Sequence, residues 1–424
     1  MFDPTRTAAL KQLEHFLPRA GQRYTRSRNF DRGAGAHHNV SGLSPWLRHR
    51  VLLETEVLAA VLERHTGAEV EKFIDEIFWR AYFRGWLAQH PGVWRAYKAS
   101  VEAGYAAAEA NRGLAAALAD AEAGKTGNAA FDHWARELVE TGYLHNHARM
   151  WFASIWVFTL RLPWALGADF FLRYLLDGDP ASNTLSWRWV SGLHTRGKTY
   201  LARRDNILRF TDGRLDPGSG LAPVAEPLTE TELPEKTALS WPAGASAGLE
   251  TGAIGTGAGA ATGHKLGRTT RQGWLVTDED VRLEATMPAD GVPLAGLAIT
   301  AGRSPGEVSA TVHAFSKGCV ADACRRRDQP DATCFDEHTI SALAAWAEQQ
   351  GLQELGTMFV PYGPTADALN QLEPLLGQAG IGLRQHVRPY DRLVWPHAGR
   401  GFFPLRKRIP RLLEALELAE PVVA

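Results

Sequence analysis

The stretch Asp177-Gly178-Asp179-Pro180-Ala181-Ser182-Asn183-Thr184-Leu185-Ser186-Trp187-Arg188-Trp189 places two carboxylates, a carboxamide and two indoles within thirteen residues, just after an Arg-bearing helical segment. Polar groups that grip an edge, next to flat apolar faces, suit a large, polar, redox-active ring. Upstream, Asn146, Arg149 and Met150 stand at i, i+3 and i+4 and therefore share one helical face. An Arg–Asp contact at a desolvated site is charge-assisted and persists only while both partners are present.

Further blocks precede this one in order: Tyr24-x-x-x-Arg28, Ser41-Gly42-Leu43-Ser44-Pro45-Trp46-Leu47, Glu76-x-x-Trp79-Arg80-x-Tyr82-Phe83-Arg84, and Gly142-Tyr143-Leu144-His145-Asn146-His147-Ala148-Arg149-Met150. Together they resemble the photolyase/cryptochrome family across roughly residues 20–210. The resemblance implies a helical FAD-binding domain and assigns roles to individual residues. Ser41, Leu43 and Ser44 would offer hydroxyls and main-chain N–H groups to the pyrophosphate, with Pro45 where a helix can start, and Tyr24 and Arg28 would close over that end. Asn146, Arg149, Asp177 and Asp179 would hold the ring and ribose. Asn183 would face the flavin N5, where photolyases carry Asn and cryptochromes often Asp or Cys.

For a flipped pyrimidine dimer, the resemblance implies Glu76 as the hydrogen-bonding carboxylate, Trp79 and Trp189 as the apolar walls, and Arg80 and Met150 as further substrate contacts. Trp187 and Trp164 match the first two members of a light-driven electron chain. Four positions depart from the pattern: Val40 for a Thr, Gly42 and His147 for basic residues, and Ala121 where a third Trp is expected. Losing a phosphate contact lowers affinity without touching base recognition.

The 424 residues are 45% hydrophobic, enough for two cores. The most apolar run, Met150 to Leu176, is crossed by Arg161, Asp169 and Arg173 and broken by Pro163 and Gly167, so it reads as a buried helix pair rather than a bilayer span. Met1-Phe2-Asp3-Pro4-Thr5-Arg6 lacks the pattern of a secretion signal, and a cytoplasmic location is expected. Three cysteines, Cys319, Cys324 and Cys334, are too few for an iron–sulfur cluster or a structural zinc site, so no metal is expected. The net charge of −1 hides an asymmetry: residues 1–215 hold 28 Lys+Arg against 22 Asp+Glu, and the remainder 18 against 25. A basic helical half suits a polyanionic partner, damaged DNA in the family's case.

Residues 1–212 show helical spacing, as in Leu52, Val57, Leu58, Val61 and Leu62. From 213 to 270 Gly, Ala, Pro and Thr dominate, and a flexible linker is expected. Beyond it, 271–424 alternates short apolar runs (Trp274–Thr277, Pro293–Thr300, Gly356–Val360, Gly382–Val387) with helical patterns (His338–Gln350, Thr365–Gln378), predicting a Rossmann-like parallel α/β domain. Trp274-Leu275-Val276-Thr277-Asp278-Glu279-Asp280-Val281-Arg282-Leu283 resembles the opening of the photolyase antenna domain. Asp391-Arg392-Leu393-Val394-Trp395-Pro396, followed by Gly401-Phe402-Phe403-Pro404, resembles its closing strand. In the family that domain comes first, so the resemblance implies a circular permutation. No antenna-binding residue can be matched, and no second chromophore is assigned.

Two functions follow from the resemblance. One is a blue-light-driven, FAD-dependent DNA photolyase that splits cyclobutane pyrimidine dimers by electron transfer from reduced flavin. The alternative is a cryptochrome-like photoreceptor, or a flavoprotein without repair activity. Glu76, Trp79, Asn183 and Trp189 favour the first, and Gly42, Ala121, His147 and the chain order favour the second.

Overall fold

The computed structural model describes residues 2–230, 235–242, 271–285 and 291–418. The first half is helical, as its spacing predicts: α1 (Arg6–Phe16), α2 (Gln22–Ser27), α3 (Ser44–Arg48), α4 (Glu54–Arg64), α5 (Gly67–Ala88), α6 (Pro91–Ala110), α7 (Arg112–Glu122), α8 (Ala129–Thr141), α9 (Asn146–Ser154), α10 (Trp164–Tyr174), α11 (Pro180–Val190) and α12 (Arg204–Phe210). Local chemistry sets the ends that matter for the site. At the start of α5 the Glu69 carboxylate accepts from the Thr66 N–H at 3.0 Å, half of a capping box. Asp179 caps α11 by accepting from the Ser182 N–H at 2.7 Å, and Pro180 follows with its φ already helical. The apolar run 150–176 folds as α9, a π-helical turn (Ile155–Thr159) and α10. Among the described residues no helix is long and apolar enough to cross a membrane.

The second half carries a five-stranded, all-parallel sheet: β1 (Gln272–Thr277), β2 (Leu294–Leu297), β3 (Cys334–Phe335), β4 (Glu354–Met358) and β5 (Gly382–His386), in the order β3-β2-β1-β4-β5. The Trp274–Thr277 run is the central strand, with Trp274 opposite Leu294 on one side and Gly356 on the other. Both faces are covered, as runs of consecutive buried residues require. α13 (Ala310–Arg325) packs with Trp274 and Val276 on one face. α14 (Ile340–Gln349) and α15 (Pro364–Gln378) pack with Leu275, Ala295 and Leu355 on the other.

Two expectations need correction. The segment 391–396, read as a closing strand, is helical: α16 (Pro389–Val394) leads into a 3-10 turn (Trp395–Arg400), then α17 (Phe402–Arg406) and α18 (Ile409–Ala415). Pro389 pre-sets a helical φ, and Tyr390 and Val394, one turn apart, are both buried, with the Tyr390 ring 5.9 Å from that of Phe78 on α5. The expected flexible linker is, in its described parts, held down by specific bonds: Leu228 N–H donates to Ser191 O at 3.0 Å, Thr237 N–H to Gln89 O at 2.8 Å, and the Trp241 ring stacks on Trp395 at 5.8 Å. Residues 243–270, the glycine-rich centre of that expectation, lie outside the described residues.

Packing does not divide where composition does. One core joins residues 9–82 to the α13 face of the sheet and to α16–α18, and a second fills the helical half from Leu87 to Leu215. Buried ion pairs cross the same boundary. Arg50 reaches Asp391 at 2.6 and 2.8 Å and Asp280 at 3.2 Å. Arg388 grips Asp280 through two 2.6 Å bonds. Such charges are tolerable inside only because each has a partner.

Candidate functional site

The site assembles where α3, α5, α9 and the 177–179 loop leading into α11 meet. Arg149, on α9, donates through Nη2 to Asp177 Oδ2 at 2.7 Å and through Nε to Leu144 O at 2.9 Å. The Asp177 side chain is buried within this pair. Asp179 lies 3.8 Å from Arg84 Nη1, and together with Arg80 and Arg48 the Arg84 charge holds its carboxyl at about 2 against the penalty of burial. Arg48 donates to Gly178 O at 2.8 Å and to Glu279 Oε1 at 2.6 Å, so a carboxylate following β1 of the second half is tied to the very loop that carries Asp177 and Asp179.

These partners leave orphans. Asp177 Oδ1, Asp179 Oδ2, Arg84 Nε and Nη1, Arg48 Nη1 and Trp187 Nε1 are all buried without a hydrogen bond. Buried polar atoms are rarely left unmatched, since each costs roughly 1–3 kcal/mol. Orphan acceptors and donors of this kind, carried by α3, α5, α11 and the 177–179 loop, match a flavin, whose ring edge offers both amide-like N–H and carbonyl groups. Arg149, Asp177, Asp179 and Arg84 would hold its ring and sugar side, and Ser41 and Ser44 its phosphates.

The expected phosphate-binding segment is compact. Ser41 Oγ accepts from the Leu43 N–H at 3.3 Å, Gln12 Nε2 donates to Ser41 O at 2.7 Å, and Leu43 is wholly buried. Ser44 begins α3 with Pro45 next to it. Tyr24 is buried, its ring edge-on to Phe16 and Phe73. Arg28 pairs with Glu76, a contact that the sequence did not foretell. Burial raises the Glu76 carboxyl above its ordinary range, with the Arg28 charge pulling the other way. Arg80 donates to Glu54 at 2.7 Å and to Arg48 O at 3.1 Å, so it is part of the packing beneath the site.

Other expected residues are placed differently from their assigned partners. Asn183 donates its amide N–H to Ala168 O at 2.8 Å, which anchors α11 to α10. Trp187 meets Trp156 edge-on at 6.2 Å, whereas Trp164 lies 5.9 Å from Tyr97 and under the Arg188 guanidinium. Trp187 gets this close to α10 because residue 167 is glycine: a Cβ there would sit 2.3 Å from the indole. Trp189 stacks on Tyr200 at 5.9 Å, Asn146 is exposed at the start of α9, and Met150 is half-buried. Trp79 has one indole face covered by Phe402, at 3.6 Å and 12°. His147 is not a free cation: its ring nitrogens meet Asn29 O and Tyr200 Oη at 3.0 Å each, its ring lies on Trp151 at 3.9 Å, and burial lowers its pKa.

Sequence reasoning missed Arg84, Arg48 and Glu279. Arg84 stood in a quoted block without a role, and its signal was an unassigned cation one turn beyond Arg80. Glu279 carried no signal, because only docking of the two halves brings it there.

Residues 73–217 match the family described as the FAD binding domain of DNA photolyase. A deoxyribodipyrimidine photo-lyase of Thermus thermophilus is 32% identical over 220 residues, covering 49% of this chain and 47% of that protein, so the chain matches about half the length of this relative. Among solved structures, a bacterial class III photolyase from Agrobacterium tumefaciens is 28% identical, covering 50% of this chain and 42% of that one with a TM-score of 0.41. A Synechocystis cryptochrome is 25% identical over 49% of this chain and 43% of its own, with a TM-score of 0.39.

Proposed function

We propose, from the chain's membership of the photolyase/cryptochrome family through its helical half, that it is a blue-light-driven DNA photolyase acting on cyclobutane pyrimidine dimers. The observation that carries the reading is the half-buried Glu76 on α5, one turn before Trp79, on the helix whose Arg84 faces Asp179. FAD, when bound, supplies the light-absorbing electron donor. The chain's own residues position the damaged bases. Glu76, paired with Arg28, keeps carboxylate oxygens that can accept from a pyrimidine N–H. Trp79 and Trp189 supply flat apolar surface, and α9 presents the exposed Asn146 nearby in sequence to Arg149.

A second reading, a photoreceptor without repair activity, is favoured by the Trp79–Phe402 stack and by the neutral, fully engaged His147. A base that stacks on the covered face of Trp79 must first move Phe402. The two are separated by incubating FAD-loaded protein with dimer-containing oligonucleotide under blue light, with and without prior flavin reduction. Light-dependent recovery of intact pyrimidines, strongly reduced in Glu76→Ala, is expected. No recovery in either redox state would leave the receptor reading standing.

A further inference from the structure

We propose that the exposed side of the α17–α18 segment, outside the residues that match the flavin-domain family, is a contact surface for a nucleic-acid strand, with Phe403 as its stacking side chain. The inference rests on the reading of Trp79 as a base-facing residue and extends it to the second half of the chain.

Phe403 is 70% exposed, the most exposed of the large apolar side chains described. Single exposed apolar residues are common and ordinarily need no explanation. Here the neighbouring residue fixes the geometry. Phe402 is buried and stacked on Trp79, and its ring centroid is 6.2 Å from that of Phe403. The outward ring is therefore held next to the site by an anchored backbone, not by a mobile tail.

Charge supplies the second observation. From Arg392 to Leu413 the chain has six Lys/Arg and no Asp/Glu, although the half that contains it carries an acidic excess. Arg406 is neutralised by Asp75 at 2.8 Å and Glu71 at 2.6 Å. Arg400, Lys407, Arg408 and Arg411 are exposed, and among the described residues none has an ion-pair partner. Lys407 is one helical turn from Phe403, its N–H donating to Phe403 O at 3.3 Å, so ring and ammonium share a face.

Unpaired cations in the same short segment as one outward aromatic ring, with Lys407 on its face, match a ligand that has both phosphates and π faces, as a single or locally unstacked strand does. An anionic membrane is disfavoured because the apolar residues of these two helices, Phe402, Leu405, Ile409, Leu412 and Leu413, are already buried in the core. Only one ring is left for insertion.

The test uses full-length, FAD-loaded protein in the dark, with a fluorescent single-stranded oligonucleotide, the same strand bearing a pyrimidine dimer, and phosphatidylserine vesicles. Phe403→Ala should weaken oligonucleotide binding about tenfold with an unchanged salt slope. The triple variant Lys407→Gln, Arg408→Gln, Arg411→Gln should flatten the slope by roughly two to three units. Both should keep their flavin and melting temperature, since the altered side chains are exposed. If wild-type protein binds the strands and both variants bind them equally well, the surface is wrong and the DNA reading survives. Absence of binding by wild type overturns both. Loss of vesicle binding alone in the variants would assign the surface to a membrane and overturn the proposal.

Discussion

At the scale of single residues, the proposed flavin site is a set of charges that only make sense in pairs. Asp177 is almost wholly buried and Arg149 keeps 23% of its side chain exposed. Asp177→Ala should therefore cost about 2–3 kcal/mol, less than the loss of a fully buried partner, because water reaches the stranded guanidinium. The variant should also retain less FAD after purification; unchanged flavin content would show that the pair does not hold the ring. Histidines give the site region a pH limit. Burial pushes His145 and His194 down to about 4. In the unfolded chain an imidazole titrates near 6.5, so between those values the unfolded state binds more protons. Stability is complete above pH 6.5 and falls as pH drops toward 4, by up to about 1.4 kcal/mol per unit for each histidine. Melting temperatures that stay flat from pH 7 to 4.5 would contradict this. His147 shows how residue identity can mislead: read as a weakened phosphate contact, it is spent on Asn29 and Tyr200.

At the scale of elements, α5 is the spine on which both halves are mounted. Successive faces carry Glu76, Arg80 and Arg84 toward the site, Trp79 toward Phe402, and Gly85 toward the 395–400 turn. Gly85 is there for close approach: a Cβ would lie 2.8 Å from Trp395 Cα, a backbone atom that cannot simply rotate away. Alanine would gain about 1 kcal/mol of helix propensity, whereas overpacking against backbone costs about 1–3 kcal/mol. The second effect should win. Gly85→Ala is expected to lower the melting temperature and to speed proteolysis between the halves, and a variant at least as stable as wild type would refute the contact. The helical periodicity of α5 was legible in the sequence. The partner of each face was not, because the same stripe of aromatic residues serves any apolar neighbour.

At the scale of the molecule, the two halves are one folding problem. Their shared core and the Arg50–Asp391, Arg50–Asp280 and Arg48–Glu279 pairs mean that a helical half alone would expose apolar surface and strand buried charges. We read the chain order as a circular permutation of the family's arrangement, and this makes a direct prediction. A reordered chain, residues 271–418 followed by a Gly/Ser linker and residues 2–242, should fold, bind FAD and melt cooperatively, because every cross-half contact is indifferent to which half is made first. Flexible linkers close such loops at little cost, each doubling of length adding only about 0.6 kcal/mol. Colourless, unfolded protein at two linker lengths would count against the permutation.

Some of this is set locally and some is not. The cap that starts the 180–190 helix, the helical spacing of 1–212 and the buried runs of the parallel sheet were readable directly, because caps, periodicity and residue chemistry act over a few neighbouring positions. Helical Pro389–Val394 was misread since a short apolar run fits strand or helix equally, and its contact with Phe78 decides between them. Glu279 reaching the 177–179 loop through Arg48, Phe402 lying on Trp79, and Trp156 rather than Trp164 meeting Trp187 depend on positions far apart in the chain or on side-chain direction. No local pattern encodes such encounters; they exist only once the packed interior fixes which faces meet.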